Sequence, residues 1–169
     1  KSLSTHVIAS TPNLRSNECL LPRSAAFRAS TEKLYVTCMG VDTMLELDAR
    51  AVDPMRAITR RFQLPKGPTG VALAEKEGLA VVWGQFDDAL AVVPLSGGAT
   101  TTIDLYRGPT LMDESTRAGR DLFYRTEDAR ITSDGVACSS CHPDGLDDGV
   151  SWSTPEGMRQ TMMLAGRLH

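Results

Sequence analysis

Lys33–Ala49 reads KLYVTCMGVDTMLELDA, and a looser copy of it, GLAVVWGQFDDALAVVPL, occupies Gly78–Leu95. In both, short aliphatic and β-branched runs are broken by polar or glycine-containing turns. In the first run one face carries Leu34, Val36 and Cys38; in the copy it carries Leu79, Val81 and Trp83. This period of two is the pattern of half-buried strands. Working outward, about Arg23–Leu64 aligns with about Pro68–Leu105 at an offset of 45 residues without a gap, placing Asp42 on Asp87, Leu45 on Leu90 and Ile58 on Ile103. Asp42 and Asp87 read as turn residues, Trp83 and Phe86 as packing residues.

A repeat of about 40–50 residues made of four short strands is the pattern of a β-propeller blade. The two units resemble YVTN-type propeller repeats, most closely in KLYVTCMGVDTMLELDA. The resemblance implies a fold and carries no activity. Ser4–Ser10 reads as a strand of a preceding blade. Propellers close rings of about 4–8 blades. Two blades therefore imply that the missing ones come from the rest of a longer chain, of which this is a fragment, or from another chain. A small open β-sandwich is the alternative.

The 169 residues are 41% hydrophobic and 23% charged with net charge −3, and they contain no dense Lys/Arg stripe, which argues against a nucleic-acid partner. No apolar run is long enough for a transmembrane segment, and no secretory signal is visible. Cys19 and Cys38 lie nineteen apart. The pair either forms a disulfide, which needs an oxidising compartment, or packs as two buried thiols; we expect the disulfide.

From Arg107 the strand pattern stops, so a boundary is expected there, with blades in 1–106 and a second module in 107–169. After Pro109 and the stretch Thr110-Leu111-Met112-Asp113-Glu114 a helical pattern is expected to about Arg125, with Leu111, Ala118 and Leu122 on one face and Asp113 and Glu114 near its start. A polar loop then leads to Cys138-Ser139-Ser140-Cys141-His142. A structural zinc site needs four ligands, and no second pair stands at a suitable spacing. A thioredoxin-like dithiol needs a βαβ setting, and this region is rich in Gly and Pro. Covalent haem attachment fits the spacing: two thioethers to the porphyrin, with the next residue, His142, turned to the iron.

The wider stretch, AGRDLFYRTEDARITSDGVACSSCHPDGLDDGVSWSTPEGMRQTMMLAGR, resembles the haem-binding region of the di-haem cytochrome c peroxidase family. The similarity rests on Gly119, Leu122 and Phe123, on Arg130-Ile131-Thr132, on Asp134-Gly135 before the CxxCH, and on Gly157-Met158-Arg159-Gln160-Thr161 beyond it. It implies one haem c on Cys138 and Cys141, His142 as proximal iron ligand, and export to a bacterial periplasm or cell exterior. Arg130 and Arg159 are candidate propionate partners by charge, and Trp152 a candidate apolar wall. Met162 and His169 lead the candidates for the distal iron ligand, with Met163, Met158 and Met112 behind them. The family uses two haems, and this chain has one CxxCH. The expectation is thus a mainly β pair of blades followed by a small α-helical cytochrome c module that transfers electrons to a redox partner protein or second haem domain. The alternative is one part of a peroxide-reducing di-haem enzyme.

Overall fold

The computed structural model describes residues 18–52, 57–105, 108, 112–131 and 135–166. Ser4–Ser10, Arg107, Leu111 and His169 lie outside the described residues, and so do the readings placed on them. The described chain is mainly β, with ten strands in antiparallel sheets.

The first sheet is an up-and-down meander of β1 (Pro22–Arg28), β2 (Lys33–Cys38), β3 (Thr43–Asp48) and β4 (Ile58–Gln63). The second repeats it with β5 (Pro68–Ala74), β6 (Leu79–Gly84), β7 (Ala89–Pro94) and β8 (Thr101–Asp104). Each strand pairs with the next, and β5 lies against β1 and β2 of the first sheet. Strands of four to seven residues, joined by four-residue connections except for nine residues between β3 and β4 and six between β7 and β8, favour this arrangement, because antiparallel strands need only short turns.

The repeat exists, but its offset differs from the sequence alignment by one residue. Strands β1–β3 and β5–β7 superpose at an offset of 46, as their bounds show: 22–28 on 68–74, 33–38 on 79–84, 43–48 on 89–94. The register breaks between Pro22 and Ser24 and between Pro68 and Gly70 obey the same offset. So do three left-handed backbone positions: Leu21 and Gly67, Glu32 and Gly78, Asp42 and Asp88. Gly78 takes this conformation freely, whereas Glu32 carries a Cβ in a region that side chains rarely enter. Asp88, not Asp87, is thus the counterpart of Asp42. After the third strand the connections differ in length, and pairing of Thr43 with Gln63 and of Ala89 with Asp104 resets the offset to 41.

A one-residue slip moves every side chain of a strand to the other face. In the first sheet Tyr35, Thr37, Met44 and Phe62 face the second sheet, and Ala80, Val82, Ala91 and Val93 face back. Tyr35, Met44, Leu64, Ala80, Val82, Ala91, Val93 and Leu95 form the buried core, with Phe62, Val71 and Leu73 packed on it. Leu34, Val36, Leu79, Val81 and Trp83, the face read from sequence as the patterned one, point away from this interface and are half-buried.

One charge lies in the interface. Glu46, 4% exposed, accepts hydrogen bonds from Tyr35 Oη (2.9 Å), Thr59 Oγ1 (2.6 Å) and Arg60 Nε (3.0 Å), and Arg60 also donates to the Leu95 carbonyl of the second sheet. Burial pushes the Glu46 carboxyl up, but these donors outweigh it and hold the carboxyl below its ordinary range. Cys19 and Cys38 form the expected disulfide, tying the segment before β1 to the end of β2.

The expected α-helical cytochrome c module is not formed. The region holds α1 (Glu114–Tyr124), a single turn α2 (Cys138–Cys141), a 3₁₀ turn (Pro143–Gly145) and a two-stranded hairpin of β9 (Ser151–Thr154) and β10 (Gly157–Gln160). No residue of α1 is buried. The reason is local: Pro143, with Gly145, Gly149 and Gly157 at positive φ, stops helix growth after Cys141.

Candidate functional site

The α1 helix is capped by Asp113, whose carboxylate accepts from the Thr116 amide at 2.8 Å. The face that meets the sheets is not the apolar stripe expected from Ala118 and Leu122. Leu122 is exposed, and the contacts come from Arg120, Asp121 and Tyr124. Arg120 donates to the Phe86 carbonyl (3.0 Å) and stacks 4.4 Å from its ring; Lys66 pairs with Asp121 at 2.9 Å; Tyr124 packs on Phe86 at 5.2 Å. Beyond the helix, buried Thr126 donates to the Gly40 carbonyl at 2.7 Å. Phe86 is thus a packing residue as expected. Asp42 and Asp87 serve the turns, accepting from the amides of Gly67 and Lys66. These ties place the C-terminal segment over the sheet end that carries the β2–β3 and β6–β7 turns.

There the CSSCH segment makes its one turn. Its start is braced by Ser140 Oγ, which accepts from the Ala137 amide at 3.0 Å. Both Cys138 and Cys141 are free thiols, the first exposed and the second half-buried. Three residues apart on a helical turn, they share one face. Burial pushes the Cys141 thiol up, and Asp148 and the neighbouring Cys138 add to the shift. An unactivated thiol of this kind is a poor attacking group for disulfide exchange, which counts against a thioredoxin-like reading. His142 follows with its amide on the Cys138 carbonyl (3.0 Å) and its Nδ1 3.3 Å from the Leu146 carbonyl.

The other expected site residues are scattered. Trp152 is 48% exposed and its Nε1 donates to Asp148 (3.2 Å) and Thr161 (3.0 Å). Arg130 is turned to Asp128 in an exposed pair at 2.6 Å. Arg159 stands across from Trp152 on the exposed hairpin. Met158, Met162, Met163 and Met112 are all exposed. Among the described residues, no group of three or more His, Cys, Asp or Glu side chains is placed to hold a metal ion. With one real helix and no such group, the fold does not support the expected cytochrome c electron-transfer module. The same finding removes its alternative, the peroxide-reducing di-haem part.

Sequence reasoning missed a junction at this end of the sheets. Arg23 of β1, Tyr124 of α1 and Asp144 of the 3₁₀ turn converge: Tyr124 Oη donates to Asp144 (3.1 Å), and Arg23 lies 3.7 Å from the same carboxylate. They line a cavity of about 420 Å³ with Met39, Thr69, Gln85 and Phe86. Burial, then Asp144, raises the Tyr124 hydroxyl, so it stays a donor at neutral pH. The 46-residue offset contains the signal, since Arg23 matches Thr69 and Met39 matches Gln85. No family model matches the chain, and no curated protein matches it. No helix among the described residues is long and apolar enough to cross a membrane.

Proposed function

We propose that the chain is a propeller-type repeat scaffold of an oxidising compartment such as a bacterial periplasm. It presents the CSSCH segment at one sheet end for covalent modification. One observation carries the scaffold reading: strand bounds, register breaks and left-handed positions all recur at an offset of 46. The disulfide supports the compartment, because such bonds persist where thiols are not kept reduced. The thiols support the site: both are free, one is exposed, and they share one face of a turn. The group proposed for them is haem c, joined through two thioethers at Cys138 and Cys141; no electron-transfer or peroxide chemistry is assigned to it.

The test is expression of the whole chain with the haem-attachment machinery, followed by haem staining after denaturing electrophoresis. A stained band that disappears in the Cys138→Ser/Cys141→Ser variant is expected. An unstained chain would overturn the cofactor. Maleimide labelling of the haem-free folded chain separates that outcome from the scaffold reading: two labels are expected, on Cys138 and Cys141 alone. Labelling of Cys19 and Cys38 would remove the disulfide and the compartment with it.

A further inference from the structure

The repeat gives each sheet two different faces, related between sheets by the offset of 46. One face of the first sheet (Tyr35, Thr37, Met44, Glu46) covers the opposite face of the second (Ala80, Val82, Ala91, Val93). The counterparts of the first set are Val81, Trp83, Leu90 and Val92, and those of the second are Leu34, Val36, Leu45 and Leu47. These lie on the two outer faces; on the first, Leu45 is already buried at 1% exposure, while Leu34, Val36 and Leu47 are half-buried. Both are apolar, although the outer side of an antiparallel sheet is ordinarily polar when it meets water. Ile103 extends the outer face of the second sheet at 46% exposure, and Phe27 that of the first at 53%. On the first sheet's outer face Arg61 pairs across from Leu45, and its Nη2 is buried with no hydrogen-bond partner among the described residues.

We propose that this chain associates head to tail with further copies of itself. The Val81/Trp83/Leu90/Val92 face of one copy would cover the Phe27/Leu34/Val36/Leu47 face of the next. The proposal rests on the blade reading above and names the partner that reading lacks. The occupant follows from the interface inside the chain, which joins these same two kinds of face. Such a contact is heterologous, and it closes when its rotation completes a ring. A ring of about 4–8 sheets requires about two to four copies of this two-sheet chain.

Sedimentation equilibrium of the whole 18.3 kDa chain tests this. The expected mass is about two to four times that of the chain. Phe27→Glu and Trp83→Glu, each alone, are expected to give monomers, about a two- to four-fold fall. Mixed, they are expected to form a one-to-one dimer, since each retains the face that the other has lost. Ile103→Glu, on an exposed strand, replaces Trp83→Glu if circular dichroism shows that variant unfolded. A monomeric wild type overturns the proposal while leaving the labelling result intact. Assembly unaffected by the variants, or folded variants that fail to pair on mixing, also overturns it.

Discussion

Glu46 is the sharpest test of how the two sheets are joined. Glu46→Ala leaves the Tyr35 hydroxyl without its acceptor in a residue only 1% exposed. A buried unsatisfied group of this kind costs about 1–3 kcal/mol. Arg60 also loses its partner, but its side chain is 35% exposed and can turn to water, adding about 1 kcal/mol at most. The expected loss is about 1–4 kcal/mol, read from the urea midpoint at constant slope. Tyr35→Phe alone removes one donor and leaves Thr59 and Arg60 on the carboxylate, costing about 1 kcal/mol. In the Glu46→Ala background the same change removes the orphaned hydroxyl, so it is expected to be neutral or stabilising. The coupling is therefore about 1 kcal/mol or more. The sign of the pH dependence follows from the depressed carboxyl. Its contribution is fully present above the unfolded value, about 4.3, and is lost as pH falls through the lower folded value. The gap between wild type and Glu46→Gln should thus narrow in acid. Strictly additive single and double variants, or a Glu46→Ala loss below about 0.5 kcal/mol, would refute the assignment of this network to a buried interface.

Three further outcomes are expected. The Cys19–Cys38 bond closes a loop with a sequence separation of nineteen, so Cys19→Ser/Cys38→Ser should lose about 3 kcal/mol, measured by denaturation without reductant. Gly40→Ala would put a methyl 2.8 Å from Thr126 Oγ1 and 3.1 Å from the Leu20 carbonyl. The clash should cost about 1–3 kcal/mol and speed proteolytic release of the segment beyond α1. Gly119 has open space where a Cβ would stand, so Gly119→Ala should stabilise α1 by up to about 1 kcal/mol. Slower amide exchange along the helix would show it; unchanged exchange would place the helix ends, rather than its middle, in control of opening.

The candidate site was legible only in its covalent part. Cys138, Cys141 and His142 announce themselves by spacing, and the segment does form a turn with both thiols free. The helical module expected around them did not follow, because a short motif says nothing about how the chain beyond it packs, and the glycines and Pro143 there favour turns. The docking of α1 was hidden for a related reason. Its contacts are made by Arg120, Asp121 and Tyr124, whose partners Phe86, Lys66 and Asp144 are distant in sequence.

By itself the sequence determined the strand pattern, its repetition and a helix ending near Arg125, and it favoured a Cys19–Cys38 bond over two buried thiols. Local chemistry suffices for these: alternation, turn residues, acidic residues near the helix start and a pair of cysteines outside the CxxCH. Tertiary structure alone decided which side of each strand faces the neighbouring sheet. The strands are apolar on both faces, so alternation does not distinguish an offset of 45 from one of 46. Hydrogen-bonded register does, because it fixes Tyr35 opposite Glu46 and Val81 opposite Val92, and with them which face becomes core and which lies outside it.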